Sequence, residues 1–141
     1  MKTLSLIFFS CIASLSYASS KAELPPQSIF GVYANRTVVC FSGETPCEGP
    51  VLDYAMVIPT ADKQARVDVD LNYSNGHSCH FEAGASWEDN GLTAIGDSDC
   101  KLRFRFNRNK LTIEDPDGNC RSYCGARGTL NDVTLPKRGA F

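Results

Sequence analysis

The sequence predicts an all-β domain: an antiparallel meander forming a small sandwich or barrel, held by disulfides. Three observations carry that expectation. Ala65, Val67, Val69, Leu71 and Tyr73 alternate with Arg66, Asp68, Asp70 and Asn72, the period-two pattern of a half-buried strand. Turn-forming groups follow such runs at short intervals, beginning with Asn75-Gly76, whose residues tolerate the positive φ of a hairpin turn. Six cysteines remain once an N-terminal export segment is set aside, an even number in a small domain.

Residues 1–18 have the three parts of a signal peptide. Lys2 supplies a positive start, Leu4 to Leu15 an apolar stretch, and Ser16-Tyr17-Ala18 the small residues before a cut after Ala18. The apolar run is shorter than the roughly 20 residues a spanning helix needs, so no integral membrane span is expected. Cys11 is poorly placed for lipidation, because Phe8-Phe9-Ser10 precede it. Export places the mature chain in the periplasm or outside the cell. Loss of Lys2 leaves 13 basic against 16 acidic residues, a net charge of about −3, which argues against a nucleic-acid partner.

Residues 19–28 carry Pro25-Pro26 in a polar setting and read as an extended lead-in; residues 29–141 read as one β domain. Ile29–Tyr33 and Thr37–Phe41 are rich in β-branched and aromatic residues, and Val51–Ile58 is a further strand candidate. After Asn75-Gly76, Cys79, Phe81, Ala83, Ala85 and Trp87 share one face of a strand, opposite Ser78, His80, Glu82, Ser86 and Glu88. Asp89-Asn90-Gly91 turns into the short strand Leu92–Ile95. Cys100, Leu102, Phe104 and Phe106 then alternate with Lys101, Arg103, Arg105 and Asn107, and Leu111 and Ile113 mark a short strand. Asp115-Pro116-Asp117-Gly118 turns again, and Cys120 to Leu130 is read as the closing piece. An exposed edge strand in such a sheet could support a homodimer.

The cysteines Cys40, Cys47, Cys79, Cys100, Cys120 and Cys124 allow 15 pairings. Sequential pairing is preferred: Cys40–Cys47, Cys79–Cys100 and Cys120–Cys124, with loop-closure contributions of roughly 2, 3 and 2 kcal/mol. Zinc would need clustered thiolate pairs, and only Cys120 and Cys124 approach that spacing. No metal or other cofactor is expected.

Catalytic signatures are lacking. His77 and His80 lie near no nucleophile motif, and no G-x-S-x-G, H-E-x-x-H or phosphate loop occurs. Asp68 and Asp70 could stand at glycosidase separation, but Arg66 on the same face favours a solvated ion-pair ladder. Lys101, Arg103, Arg105, Arg108 and Lys110 form a basic stripe, read as a solvated face paired with Asp68, Asp70 and Glu82, or as a patch for an anionic glycan or lipid. The segment Gly118–Gly128 is the most unusual. A Cys120–Cys124 bridge would pin a tight loop bearing Arg121 and Tyr123, and glycines flank Arg127. Rigidly held Tyr and Arg are the residue types of binding hot spots, so Arg121, Tyr123 and Arg127 are the candidate binding residues.

The order Asn75-Gly76-His77-x-Cys79-x-Phe81, Gly84-Ala85, Cys100-x-Leu102, Leu111-x-Ile113-x-Asp115 and Cys120-x-x-x-Cys124-Gly125-Ala126-Arg127-Gly128-x-Leu130 resembles small exported proteins of Gram-negative bacteria. More loosely it is similar to periplasmic lysozyme inhibitors and to envelope immunity proteins that block cell wall-degrading toxins. Gly125-Ala126-Arg127 resembles the Gly-Ala-Arg-Tyr loop of the membrane-bound lysozyme inhibitors, with Gly128 in place of the tyrosine. The chain departs from that family in its six mature cysteines and its lack of a lipidation signal. The resemblance implies a non-catalytic inhibitor or immunity protein acting on a cell-wall hydrolase or toxin; a structural or glycan- or lipid-binding envelope protein is the alternative.

Overall fold

The computed structural model describes residues 24–43, 47, 49–62 and 64–141. The signal-peptide segment 1–18 and the first part of the lead-in lie outside the described residues. Eight strands form one closed antiparallel barrel in sequence order: β1 Gly31–Val38, β2 Pro50–Pro59, β3 Ala65–Tyr73, β4 His77–Glu88, β5 Gly91–Ile95, β6 Lys101–Asn107, β7 Lys110–Glu114 and β8 Val133–Gly139. Each strand pairs antiparallel with the next, and β8 returns to β1 through Tyr33↔Lys137 and Val32↔Gly139.

The alternation expected for β3 and β4 is realised residue by residue. Val67, Val69 and Leu71 fill the interior with Cys79 and Phe81, while Arg66, Glu82 and His80 face solvent. Leu92, Leu102, Phe104, Leu111 and Ile113 complete a solid core, fully shielded from water. Asn75 and Gly76 do take positive φ, but in a three-residue connection, Ser74–Gly76, between the paired Tyr73 and His77. Asp89 and Asn90, both at positive φ, form a two-residue turn between Glu88 and Gly91.

Three expectations need correction. The two early stretches form a single strand, β1, and Ile29-Phe30 lie before it as a plug under the barrel, beginning with a short 3-10 turn over Gln27–Ile29. Cys120 to Leu130 is not the closing strand; Val133–Gly139 closes the barrel. The barrel also leaves no wholly free edge strand of the kind on which a homodimer could rest, because β1 and β8 pair at Val32 and Tyr33.

Strand direction alternates, so the connections fall at two rims. The lower rim holds the β2–β3, β4–β5 and β6–β7 turns and the plug. The upper rim holds the long β1–β2 and β7–β8 connections and all six bonded cysteines. Among the described residues, no helix is long and apolar enough to cross a membrane.

Candidate functional site

The upper rim is built around a length mismatch between strands. β5 pairs only with the lower part of β4, Ala85 to Glu88, and leaves the opening residues of β4 without a neighbour on that side. The β7–β8 connection fills the gap. Asp115 to Gly118 turns, with Gly118 at φ 68, and the Asp115 carboxylate accepts from the Cys120 N–H at 3.0 Å. A 3-10 turn over Asn119–Tyr123 follows, and Cys124 then pairs with Cys79 as an isolated antiparallel bridge, Gly125 N–H donating to Ser78 at 2.8 Å.

This path sets the disulfides. Cys40–Cys47 clips its own loop, as expected, but the other two sequential pairs are not formed: the bonds are Cys79–Cys124 and Cys100–Cys120. Cys120 lies inside the 3-10 turn, whereas Cys124 follows it in extended backbone, with φ -122 and ψ 149. Cys120 therefore turns inward to Cys100 and Cys124 sideways to Cys79. The loop is stapled at both ends of one turn to two different parts of the barrel.

The three candidate binding residues lie on this loop but in different surroundings. Arg121 is exposed, and its guanidinium donates to the Ala126 carbonyl at 3.1 Å, bracing the loop from within. Arg127 is exposed at the tip. Tyr123 is half-buried: its ring stands edge-on to Phe81 at 4.9 Å and its hydroxyl accepts from the Asp97 N–H at 2.6 Å. Tyr123 thus packs the loop onto the core, while Arg121 and Arg127 are among its exposed residues. A groove of about 200 Å³ runs beside Arg121, walled by Asp115, Thr129 and Asn131.

A second recess adjoins it. Above Tyr33↔Lys137, β1 and β8 are no longer paired and a cleft of about 410 Å³ opens between them, lined by Asn35, Thr37, Asn72, Tyr73, Asn131 and Thr134 among others. On its wall sits Asp53, a buried carboxylate that accepts from the Thr37 hydroxyl and from the Asn72 backbone N–H at 2.7 Å and side-chain amide at 3.2 Å. The Tyr73 phenol is raised above its ordinary value by burial, reinforced by the Asp53 charge, and its hydroxyl donates to the Thr129 carbonyl. Sequence reasoning missed Asp53. The signal was there: alternation along Asp53, Ala55 and Val57 places one acid among inward-facing apolar residues.

The basic stripe lies where its alternation put it, on the outside of β6 and the β6–β7 turn, but its acidic partner is different. Arg105 pairs with Glu114 of β7 at 2.8 Å, and Arg103 stands opposite the same residue. Asp68, Asp70 and Glu82 lie on β3 and β4, which do not neighbour β6; there Arg66 pairs with Glu82, and His80 approaches Asp70 at 3.8 Å. His77 is half-buried beside Gly125. Among the described residues no group of three or more His, Cys, Asp or Glu is arranged to hold a metal ion.

Comparison of the chain with protein-family profiles, with curated proteins and with solved structures gives no match.

Proposed function

We propose that this chain is an exported binding protein of the periplasm or extracellular space that inhibits a peptidoglycan-degrading enzyme, as a lysozyme inhibitor or toxin immunity protein, without chemistry of its own. One observation carries the reading: two solvent-facing arginines, Arg121 and Arg127, ride on a loop cross-linked to separate parts of a rigid barrel. Glycan hydrolases commonly place two carboxylates in a cleft. Two arginines held at fixed positions complement such a cleft, and a loop ordered before binding loses little entropy on docking. Arginine is moreover among the residues that dominate binding energy.

The test is inhibition of a panel of lysozyme-class and toxin-type peptidoglycan hydrolases by the oxidised mature domain. Equimolar inhibition of at least one, weakened roughly 10- to 100-fold by Arg127→Ala or Arg121→Ala, is the expected result. No binding to any of them at micromolar concentration overturns it.

A second reading has its own observation. At the lower rim Arg108, Lys110 and Lys137 surround a groove of about 560 Å³ whose lining includes no carboxylate. This groove suits an anionic glycan or lipid headgroup. Salt-sensitive retention on anionic envelope polymers, abolished by Arg108→Glu with Lys110→Glu, would move the function there.

A further inference from the structure

The barrel is not sealed along its whole height. On its β8 side β1 is paired only at Val32 and Tyr33, although the strand runs on to Val38. The Arg138 Nε donates to the Ala34 carbonyl at 2.9 Å, so the Ala34 main chain faces β8. Main-chain direction alternates along a strand, and the N–H and C=O groups of Arg36 and Val38 therefore face the same way. Among the described residues nothing bonds to them there. The opposite edge differs. The Lys137 N–H turns toward β7, donating to the Asn109 carbonyl at 2.7 Å, so Pro136 faces β1 and has no N–H to offer. One edge of the gap is open and the other is blunted.

The two faces of the gap carry opposite charge. On the inner face lies the cleft of about 410 Å³, whose lining includes Asp53 and Asp132 and no Lys, Arg or His. Asp53 is the one charged side chain among the described residues to be buried. Thr37 and Asn72 supply its three hydrogen bonds, and none comes from a cation. A carboxylate held out of water ordinarily has a counter-charge, and here the chain supplies none. On the outer face Arg36 and Arg138 are exposed and share a recess with Ala34 and Leu52.

We propose that the free edge of β1 receives an extended segment of a partner protein, added as a strand in the β1–β8 gap. One of its basic side chains turns inward to Asp53, and the acidic side chain of the next residue turns outward to Arg36 and Arg138. Successive side chains of a strand point to opposite faces, so a segment of alternating Lys and Glu meets both. Main-chain pairing with Arg36 and Val38 supplies affinity, and the side chains on the two faces supply specificity. An apolar segment would leave Asp53 without a counter-charge, and an acidic residue turned inward would set like charges together.

The cleft shares Thr129 and Asn131 with the groove beside Arg121, so a partner strand here would run close to the stapled loop. The strand site stands whether or not that loop inhibits a hydrolase.

Nuclear magnetic resonance on the oxidised mature domain tests this with an acetylated, amidated hexapeptide, Thr-Lys-Glu-Lys-Glu-Thr. Titration should give saturable shifts with a Kd of roughly 1 mM or tighter. Solvent exchange of the Arg36 and Val38 amides should slow, while that of Asn35 and Thr37, whose main chain faces β2, should not change. The same residues in the order Thr-Lys-Lys-Glu-Glu-Thr put both signs of charge on each face and should bind at least about 10-fold more weakly. The Asp53→Asn domain should bind the first peptide at least about 10-fold more weakly as well. The reordered peptide reads the charge pattern with no change to the protein, so the test does not depend on how that variant folds. Unchanged exchange of Arg36 and Val38 at about 5 mM peptide overturns the proposal. So does equal binding of the two peptides. Acetyl-lysine amide binding as tightly as the hexapeptide also overturns it, because the cleft would then be a site for a free amine and not for a strand.

Discussion

Gly128 lies against the sulfur of Cys79: a Cβ on the glycine would stand 2.7 Å from that Sγ and 3.1 Å from the Cβ of Cys124. The disulfide fills the space that a side chain at this position would need. Gly128→Ala should destabilise the oxidised domain by about 1 to 3 kcal/mol, the usual cost of overpacking. Guanidinium unfolding of the two proteins measures it, and equal midpoints would show that the loop can shift at no cost.

The three disulfides close loops of different length, with sequence separations of 7, 20 and 45. Chain-entropy scaling gives about 2 kcal/mol for Cys40–Cys47, about 3 for Cys100–Cys120 and about 4 for Cys79–Cys124. Paired Cys→Ala variants should lose stability in that order in guanidinium titrations. Removing Cys79 and Cys124 should also free the Gly125–Ser78 bridge, seen as faster exchange of the Gly125 amide. Non-reducing peptide mapping should recover the Cys79–Cys124 and Cys100–Cys120 peptides and no Cys120–Cys124 link.

What the sequence made legible is what is local. Alternation along Ala65–Tyr73 and Cys79–Trp87 is enforced by the pleat within each strand, so core and solvent faces could be read directly. Disulfide pairing was not local. It depends on β5 being too short to cover the start of β4, a gap visible only once the strands are in register. Strand β8 was hidden for a related reason: it buries only Leu135 fully, and only the fold places it between β7 and β1. For the candidate site, the loop and its residue types were legible. The division of labour was not, because only the fold brings Phe81 and Asp97 to Tyr123 and turns it into a packing residue.

Asp53 should behave as a structural acceptor that cannot be deleted cheaply. Asp53→Ala leaves the Asn72 N–H and the Thr37 hydroxyl without their partner, at about 2 to 3 kcal/mol. Asp53→Asn keeps one oxygen for the Asn72 N–H, and Thr37 can reverse its hydroxyl to accept from the new amide, so it should cost less than half as much. Thermal unfolding of the two variants beside the wild type decides it. Equal losses would mean that the charge, not the acceptor geometry, is what the β1–β2–β3 corner requires.

Tyr33 links stability to alkaline pH. Its ring is buried against Phe106, its hydroxyl donates to the Ile29 carbonyl at 2.7 Å, and burial pushes the phenol up to about 12. In the unfolded chain a tyrosine ionises near pH 10. The folded state thus holds the proton that the unfolded state releases. The contribution is fully present below about pH 10 and is lost as pH rises toward 12, amounting to about 2 kcal/mol across that window. Tyr33→Phe has no proton to lose. It should start about 1 kcal/mol less stable, for want of the bond to Ile29, and lose less between pH 9.5 and 11.5 than the wild type. Guanidinium midpoints for both proteins across that range isolate the effect, since every other titrating group is common to the pair. Parallel pH curves would show that Tyr33 ionises as freely in the barrel as in water, and that the Ile29-Phe30 plug does not seal the lower rim.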